Sequence, residues 1–383
     1  MKIIIAGTAY PYRGGLAAFN ERLARQLAIE GNDVTIYTFS LQYPGFLFPG
    51  KSQFLKADPP EGLSIRRQLN SVNPFNWISV GYKIKKLRPD ILIFKYWLPL
   101  MAPCFGVISR IAGSNHHTKI ICIFDNVIPH EKRPGDRLLT RFFIKSVHGG
   151  IAMSESVIND LALFSPDIPS GLNPHPLFDN FGEPMSRDNA LKLLKLPVNY
   201  RYLLFFGFIR AYKGLDLLIG AMADPDMDTR NIRLIIAGEF YEDDKPYRDL
   251  IRRKKLDDKI FIFDRFINDD EVTVFFSAAD IVVQPYRNAT QSGVTQIAYH
   301  FEKPMLVTDV GGLREIVPHG KCGYVVKPQV SEIAGSLADF FINNRKEVFI
   351  ENIRKEKEKY TWSRMTATVN EVYTKCLEND CKK

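Results

Sequence analysis

No two cysteines stand close enough to form a CxxC pair in this 383-residue chain. Its five cysteines, Cys104, Cys122, Cys322, Cys376 and Cys381, are scattered and odd in number. Neither a zinc ribbon nor a disulfide framework is indicated, and a reducing compartment suits them. No apolar run is long enough to span a bilayer. The opening "MKIIIAGTAY" is too short an apolar run for a signal peptide and reads as a first strand. The chain is therefore expected in the cytoplasm, with any membrane contact peripheral and at the inner face. The seven histidines show no metal-binding spacing, and no metal site is expected. "AGTAYPYRGG" lacks the compact G-x-G-x-x-G turn of a redox dinucleotide site. There is no internal repeat and no low-complexity tract. Basic residues are dispersed and no nucleic-acid module is recognisable, so no nucleic-acid partner is expected. What the chain does have is a net charge of +8, which suits an anionic ligand or surface.

The length predicts two domains. In the first half, strand-like runs ("KIIIAG", "DVTIYTF", "ILIFKYW", "KIICIF", "GGIAMS") alternate with helical ones ("GLAAFNERLARQLAIEG", "SVGYKIKKLRPD", "GDRLLTRFFIKSV", "ESVINDLALF"). That alternation implies βαβ units and a parallel sheet. Residues 165–184, "SPDIPSGLNPHPLFDNFGEP", break the rhythm and read as a linker. After the helical "SRDNALKLLKL" the rhythm restarts through "YRYLLFFG", "IRLIIAG", "KIFIFDRF", "DIVVQPY", "KPMLVTDV" and "GYVVKP". The expectation is an α/β fold of two doubly wound, Rossmann-like parallel sheets facing a cleft. The domains are placed at 1–182 and 183–361, with a terminal helix, 362–383, packing back on the first. Such sheets bind ligands at the carboxyl ends of their strands.

Two stretches could carry chemistry there. In "FFGFIRAYKGLDLLI", residues 205–219, a buried strand ends at Gly207 and a helix begins after Gly214. Arg210 and Lys213 lie on the loop between, where two cations and free backbone N–H groups make a site for phosphate. In "YRNATQSG", the small polar residues Thr290, Gln291, Ser292 and Gly293, followed by Val294, open a helix after a second buried strand. Backbone amides there can approach a diphosphate or a ribose. Each stretch alone is equally an ordinary loop with solvated charges or a capped helix.

Together, "GFIRAYKGLDLLI", "AADIVVQPY", "KPMLVTDVGGLREIV" and the opening "PYRGGLAAFNERLARQLAIEGNDVTIYT" resemble the retaining GT-B glycosyltransferases of family four, or group one. The likeness runs over most of the chain in the expected order and is more specific in the second half. It implies transfer of a sugar from a UDP- or GDP-type nucleotide sugar to a glycan or lipid-linked acceptor, as in polysaccharide biosynthesis, with no separate cofactor. By position, Arg210 and Lys213 match the basic pair on the donor diphosphate, and residues 291–294 the loop near the distal phosphate and ribose. Arg265, Phe266 and Ile267 match the segment at the nucleobase, and Gly14 and Gly15 the glycine turn that borders the cleft.

Two departures stand out. The family carries two glutamates across "NATQSGVTQIAYHF"; here they fall near Thr290 and near Ile297 or Ala298, and neither is glutamate. Gln291 or Gln296 could hydrogen-bond in place of the second, without its charge. The family also has a histidine where "CIFDNVIPHEKRP" places Asp125; His130 follows five residues later and could reach the same cleft. A nucleotide-binding protein without transfer activity, or an epimerase on the same scaffold, is the rival reading. Finally, Lys83, Lys85, Lys86 and Arg88 crowd one helix before Pro89, near the aromatics of "NPFNW" and "KYWLP". Basic residues beside aromatics suit contact with an anionic membrane.

Overall fold

In a computed structural model, the structure describes residues 1–44, 53–55, 58–129, 133–225, 227, 231–289 and 292–381. The chain forms two compact units, Met1–Pro176 with Thr361–Lys383, and Leu177–Tyr360.

The first unit runs β1 (Lys2–Ala6), α1 (Gly15–Ile29), β2 (Asp33–Leu41), β3 (Ser64–Asn70), α2 (Pro74–Leu87), β4 (Ile91–Tyr96), α3 (Ala102–Gly113), β5 (Lys119–Phe124), α4 (Asp136–Ile144), β6 (Gly149–Ala152), α5 (Glu155–Phe164) and β7 (Ser170–Leu172). Its seven strands lie in the order β3-β2-β1-β4-β5-β6-β7, every pair parallel. Central strands β4 and β5 are buried along their whole length, as helices covering both faces require.

Three elements departed from the sequence pattern. β3, "SIRRQLN", has no apolar run to mark it as a strand; it is the sheet's edge, and Arg66 and Arg67 are exposed. α3 is apolar almost all round because it is largely buried, which hides its period. β7 lies within the stretch read as a linker and adds three residues to the other edge. α2 also starts earlier than its apolar pattern suggests. The Asn73 side chain accepts from the Phe75 and Asn76 N–H groups at 3.0 and 3.3 Å, and Pro74 follows it at the first helical position.

The second unit runs α6 (Arg187–Leu193), β8 (Arg201–Phe206), α7 (Leu215–Ala221), β9 (Ile232–Ala237), α8 (Lys245–Arg253), β10 (Ile260–Phe263), α9 (Asp269–Ala278), β11 (Ile281–Gln284), α10 (Gly293–His300), β12 (Met305–Thr308), α11 (Leu313–Ile316), β13 (Gly323–Val326), α12 (Val330–Ile342) and α13 (Lys346–Glu356). Its six strands are ordered β10-β9-β8-β11-β12-β13, again all parallel. Residues Leu177 to Gly182, placed by sequence with the first domain, begin this unit: the Leu177 N–H donates to the Tyr360 carbonyl at 2.9 Å.

The last helix, α14 (Trp362–Cys381), belongs to the first unit. Trp362 is 3% exposed, with its ring 5.1 Å from that of Phe19 and the Arg22 guanidinium 5.4 Å above it. Val372 lies over Gly149, where a Cβ would meet its Cγ1 at 2.4 Å. Truncating Trp362 to Ala removes a large buried ring and should cost about 3–5 kcal/mol. Urea unfolding of the full chain should show that loss in the transition of the first unit, with the second unit's transition unmoved.

Candidate functional site

Both sheets reverse their strand order beside their first strand. In the second unit the reversal falls between β8 and β11, so the loops leaving these strands flank the place where parallel sheets bind ligands. Arg210 and Lys213 lie on the first of these loops; the second ends at Ser292, and Gly293 and Val294 begin α10.

The β8 loop is held from several directions. Beyond the end of β8, Ile209 continues a ladder with the β9 loop: its N–H donates to Glu239 O at 2.9 Å, and Tyr241 N–H donates to Ile209 O at 3.1 Å. Arg210 opens a single tight turn, closed by Lys213 N–H on Arg210 O at 3.0 Å. Gly214 ends that turn at φ 66°, a left-handed conformation. A Cβ at this position would lie 2.1 Å from the Pro285 carbonyl oxygen, so glycine is needed for space as well as for backbone. Arg287, just past β11, grips Asp216 with two hydrogen bonds at 2.7 and 2.6 Å, and its N–H donates to Tyr212 O at 2.7 Å. The two loops are therefore tied to each other.

That clamp uses Asp216, and Glu242 Oε2 accepts from the Ala211 N–H at 3.1 Å. Neither carboxylate goes to the neighbouring cations. Among the described residues, Arg210 and Lys213 have no acidic partner; each instead faces a ring, Arg210 over Tyr241 at 5.2 Å and Lys213 over Tyr286 at 5.5 Å. Burial, and then the charge of Arg210, bring the Lys213 pKa down to about 8. Two cations close enough to repel, with no counter-charge, form a site that an anion would relieve.

The carboxyl ends of β8, β9 and β10 also carry three half-buried aromatics. Phe208 lies 4.4 Å from Tyr241 and 6.1 Å from Phe266, ring centre to ring centre, with interplanar angles of 34° and 30°. The sequence reading named Phe266 but missed Phe208 and Tyr241. An aromatic directly after the strand-ending Gly207 was the available signal. Arg265 itself is exposed and forms a two-pronged ion pair with Glu271 at 2.6 and 2.5 Å, while Ile267 is buried. The Arg265 backbone is turned by its N–H on Phe263 O at 3.0 Å.

On the second loop, Ser292 caps α10, its Oγ accepting from Val294 N–H at 3.2 Å. Gly293 lies against Phe178, and Val294 is largely buried. Thr290 and Gln291 lie outside the described residues, as does His130 in the first unit. Gln296 is wholly buried and its side-chain N and O have no partner among the described residues; Ile297 and Ala298 are also buried. A nearby cavity of about 540 Å³ is lined by Asp216, Glu242 and Asp243 together with Tyr212, Tyr247 and Arg287. Its carboxylates make it a poor place for a diphosphate.

In the first unit, Gly14 caps α1 at φ 100° without a side-chain cap, and Gly15 is the first helical residue. Asp125 follows β5 and pairs with Lys95, Nζ to Oδ1 at 2.7 Å.

Two doubly wound parallel-sheet units of this kind define the GT-B fold. Residues 186–356, within the second unit, match the family model described as glycosyl transferases group 1. An uncharacterized glycosyltransferase of Methanocaldococcus jannaschii is 29% identical over 185 residues, covering 46% of each chain. The chain thus spans about half the length of that relative. The D-inositol 3-phosphate glycosyltransferase of Corynebacterium diphtheriae is 23% identical over 334 residues, 82% of this chain and 78% of that one. The structure of Anabaena HepE in complex with UDP superposes with a TM-score of 0.73 at 15% identity, over 98% of this chain and all of that one.

The packing at residue 214 gives a direct check. Gly214→Ala must move either the turn or Pro285, and should cost at least about 2 kcal/mol in the second unit's stability by denaturant titration.

Proposed function

We propose that the protein transfers a sugar from a nucleotide diphosphate donor to a glycan or lipid-linked acceptor. The observation that carries this is the Arg210–Lys213 pair, two cations at the sheet's switch point that have no acidic partner among the described residues. When a glycosyl–phosphate bond breaks, negative charge grows on the leaving diphosphate. Fixed cations stabilise that charge without having to reorganise, and loss of one such group typically costs about 100- to 1000-fold in rate. The side-chain cations do this work, so no separate cofactor is invoked. The Phe208–Tyr241–Phe266 group offers the base a flat apolar face next to the cations. UDP in the Anabaena structure supports a donor of the UDP type, with GDP as the alternative. Retention of configuration and a place in polysaccharide assembly rest on the family resemblance.

One observation favours a second reading. Where the family's second glutamate is expected, α10 presents the buried, apolar Ile297 and Ala298. The ribose then lacks that carboxylate, and a protein that binds nucleotide sugars without transferring them would carry the same cations.

Incubation with UDP-, GDP- and TDP-sugars and a membrane extract separates the two. Transfer predicts nucleotide release, at least tenfold slower in Arg210→Ala and in Lys213→Ala, with UDP binding weakened in both. Protection from melting without release supports the second reading; no effect of either substitution on UDP affinity would remove the site. Lys213 also sets a pH dependence. Its free-protein pKa of about 8 lies below the ordinary lysine value, and a bound diphosphate raises it again. UDP affinity should therefore fall as pH rises through 8, and Lys213→Met should flatten that fall.

The acceptor side points to a membrane. On α2, Phe75, Ile78 and Tyr82 are 84%, 44% and 59% exposed on one face, and Lys86 continues the same stripe. Lys83, Lys85 and Arg88 flank it, and on α4 the exposed Leu138 and Phe142 form a stripe beside Arg137 and Arg141. Among the described residues no helix is long and apolar enough to cross a membrane. Apolar side chains among cations suit the interface of an anionic bilayer, where each Lys or Arg contributes about 1 kcal/mol. The protein should sediment with phosphatidylglycerol vesicles at low salt and leave them at high salt. Neutralising Lys83, Lys85, Lys86 and Arg88 should abolish most of the binding. Equal binding to neutral vesicles, or none, would point to a soluble acceptor.

A further inference from the structure

The first unit has a switch point of its own, between β1 and β4, and a charged group is buried there. Lys95, the penultimate residue of β4, is 1% exposed. Its ammonium lies 2.7 Å from Asp125 Oδ1 and 3.5 Å from the centre of the Phe19 ring. Asp125 is the first residue beyond β5, and its N–H donates to the Tyr96 carbonyl at 2.9 Å. The strand ladder thus fixes its backbone. Its side chain remains 16% exposed, so the carboxylate has an edge at the surface while the lysine has none.

The surroundings are polar and incompletely satisfied. Asn20 donates to Thr8 O at 2.8 Å, but Asn20 Oδ1 and Thr8 Oγ1, both buried, have no partner among the described residues. His175 is buried with its ring 5.2 Å from Phe19, and burial together with the charge of Lys95 holds its pKa down at about 3. It is a neutral neighbour and supplies no counter-charge.

Stability does not explain this arrangement. An ammonium can donate three hydrogen bonds; Lys95 makes one, to Asp125, among the described residues. Burial pulls the Lys95 pKa down despite the carboxylate beside it. Buried pairs of this kind are commonly no better for folding than apolar residues of the same volume. What the pair does accomplish is geometric: it fixes a carboxylate, by side chain and by backbone, at the carboxyl end of the central strands. A carboxylate only accepts hydrogen bonds, so the chemistry it recognises is a donor such as a hydroxyl.

We propose that Asp125 accepts a hydrogen bond from a hydroxyl of the sugar-bearing acceptor, and that Lys95 is a positioning residue acting through Asp125. This rests on the transferase reading above. The test compares Lys95→Met, Asp125→Leu and the double variant in the full chain. Two readouts are used: nucleotide release from the UDP-sugar the wild type accepts, with membrane extract as acceptor, and the melting temperature. Each single variant strands a charge or loses its partner and should melt lower, with release cut at least tenfold. The double variant should recover most of the wild-type melting temperature, because no unpaired charge remains, yet stay as slow as Asp125→Leu alone. UDP affinity should stay within about twofold throughout. Should the Leu variants fail to fold, Asp125→Asn keeps the shape, and the same loss of release with retained UDP affinity is expected. A double variant with wild-type release makes the pair purely structural and overturns the proposal. So does a double variant slower than Asp125→Leu by the full Lys95→Met factor, since Lys95 would then act independently. If the wild type itself binds UDP but releases nothing from any donor, the transferase reading fails and the proposal fails with it.

Discussion

The carbonyl oxygen of Pro285 leaves no room for a side chain at residue 214, and the candidate donor site depends on that contact. Gly214 lets the β8 loop press against the β11 loop in a left-handed turn, and Arg287 then reaches Asp216 and the Tyr212 carbonyl across the same junction. The acidic residue nearest in sequence to the cations is thereby engaged elsewhere. An exposed pair such as Arg287–Asp216 contributes little to stability by itself. Its effect is to withhold a carboxylate, leaving Arg210 and Lys213 with ring faces as neighbours and mutual repulsion as the penalty. That penalty is of the kind stored where a ligand is to be bound.

The two units solve the same topological problem with opposite chemistry. Each has a parallel sheet whose order reverses next to its first strand. The second unit places two cations, without an acidic partner among the described residues, and a group of tilted aromatic rings at its reversal, suited to an anion carrying a flat base. The first places an internally neutralised pair, Lys95–Asp125, beside buried amide and hydroxyl oxygens, suited to a neutral ligand that donates hydrogen bonds. A polar, uncharged acceptor and an anionic donor are the partners such a division would serve.

Much of this was legible in the sequence. Short apolar runs located β1, β4, β5 and the strands of the second unit, and the βα alternation gave the parallel sheets. "FIRAYKG" identified the cationic loop because a strand end, two cations and a glycine occupy so few positions. What stayed hidden depends on contacts distant in sequence. Nothing local to Gly214 announces Pro285, and nothing local to Asp216 announces Arg287, 71 residues away. Lys95 sits in "ILIFKYW", a run read as a strand, where nothing local gives the lysine a partner; only the neighbouring strand reveals Asp125. Phe208 and Tyr241 came together because the chain continues its ladder past the ends of β8 and β9, a pairing that strand propensity does not foretell.

The most direct measurement is a crystal structure of the protein grown with UDP. The account predicts diphosphate oxygens within hydrogen-bonding distance of Lys213 Nζ and the Arg210 guanidinium, and the uracil ring against the Phe208–Tyr241–Phe266 face. A nucleotide bound elsewhere, or one whose diphosphate touches neither cation, would contradict it.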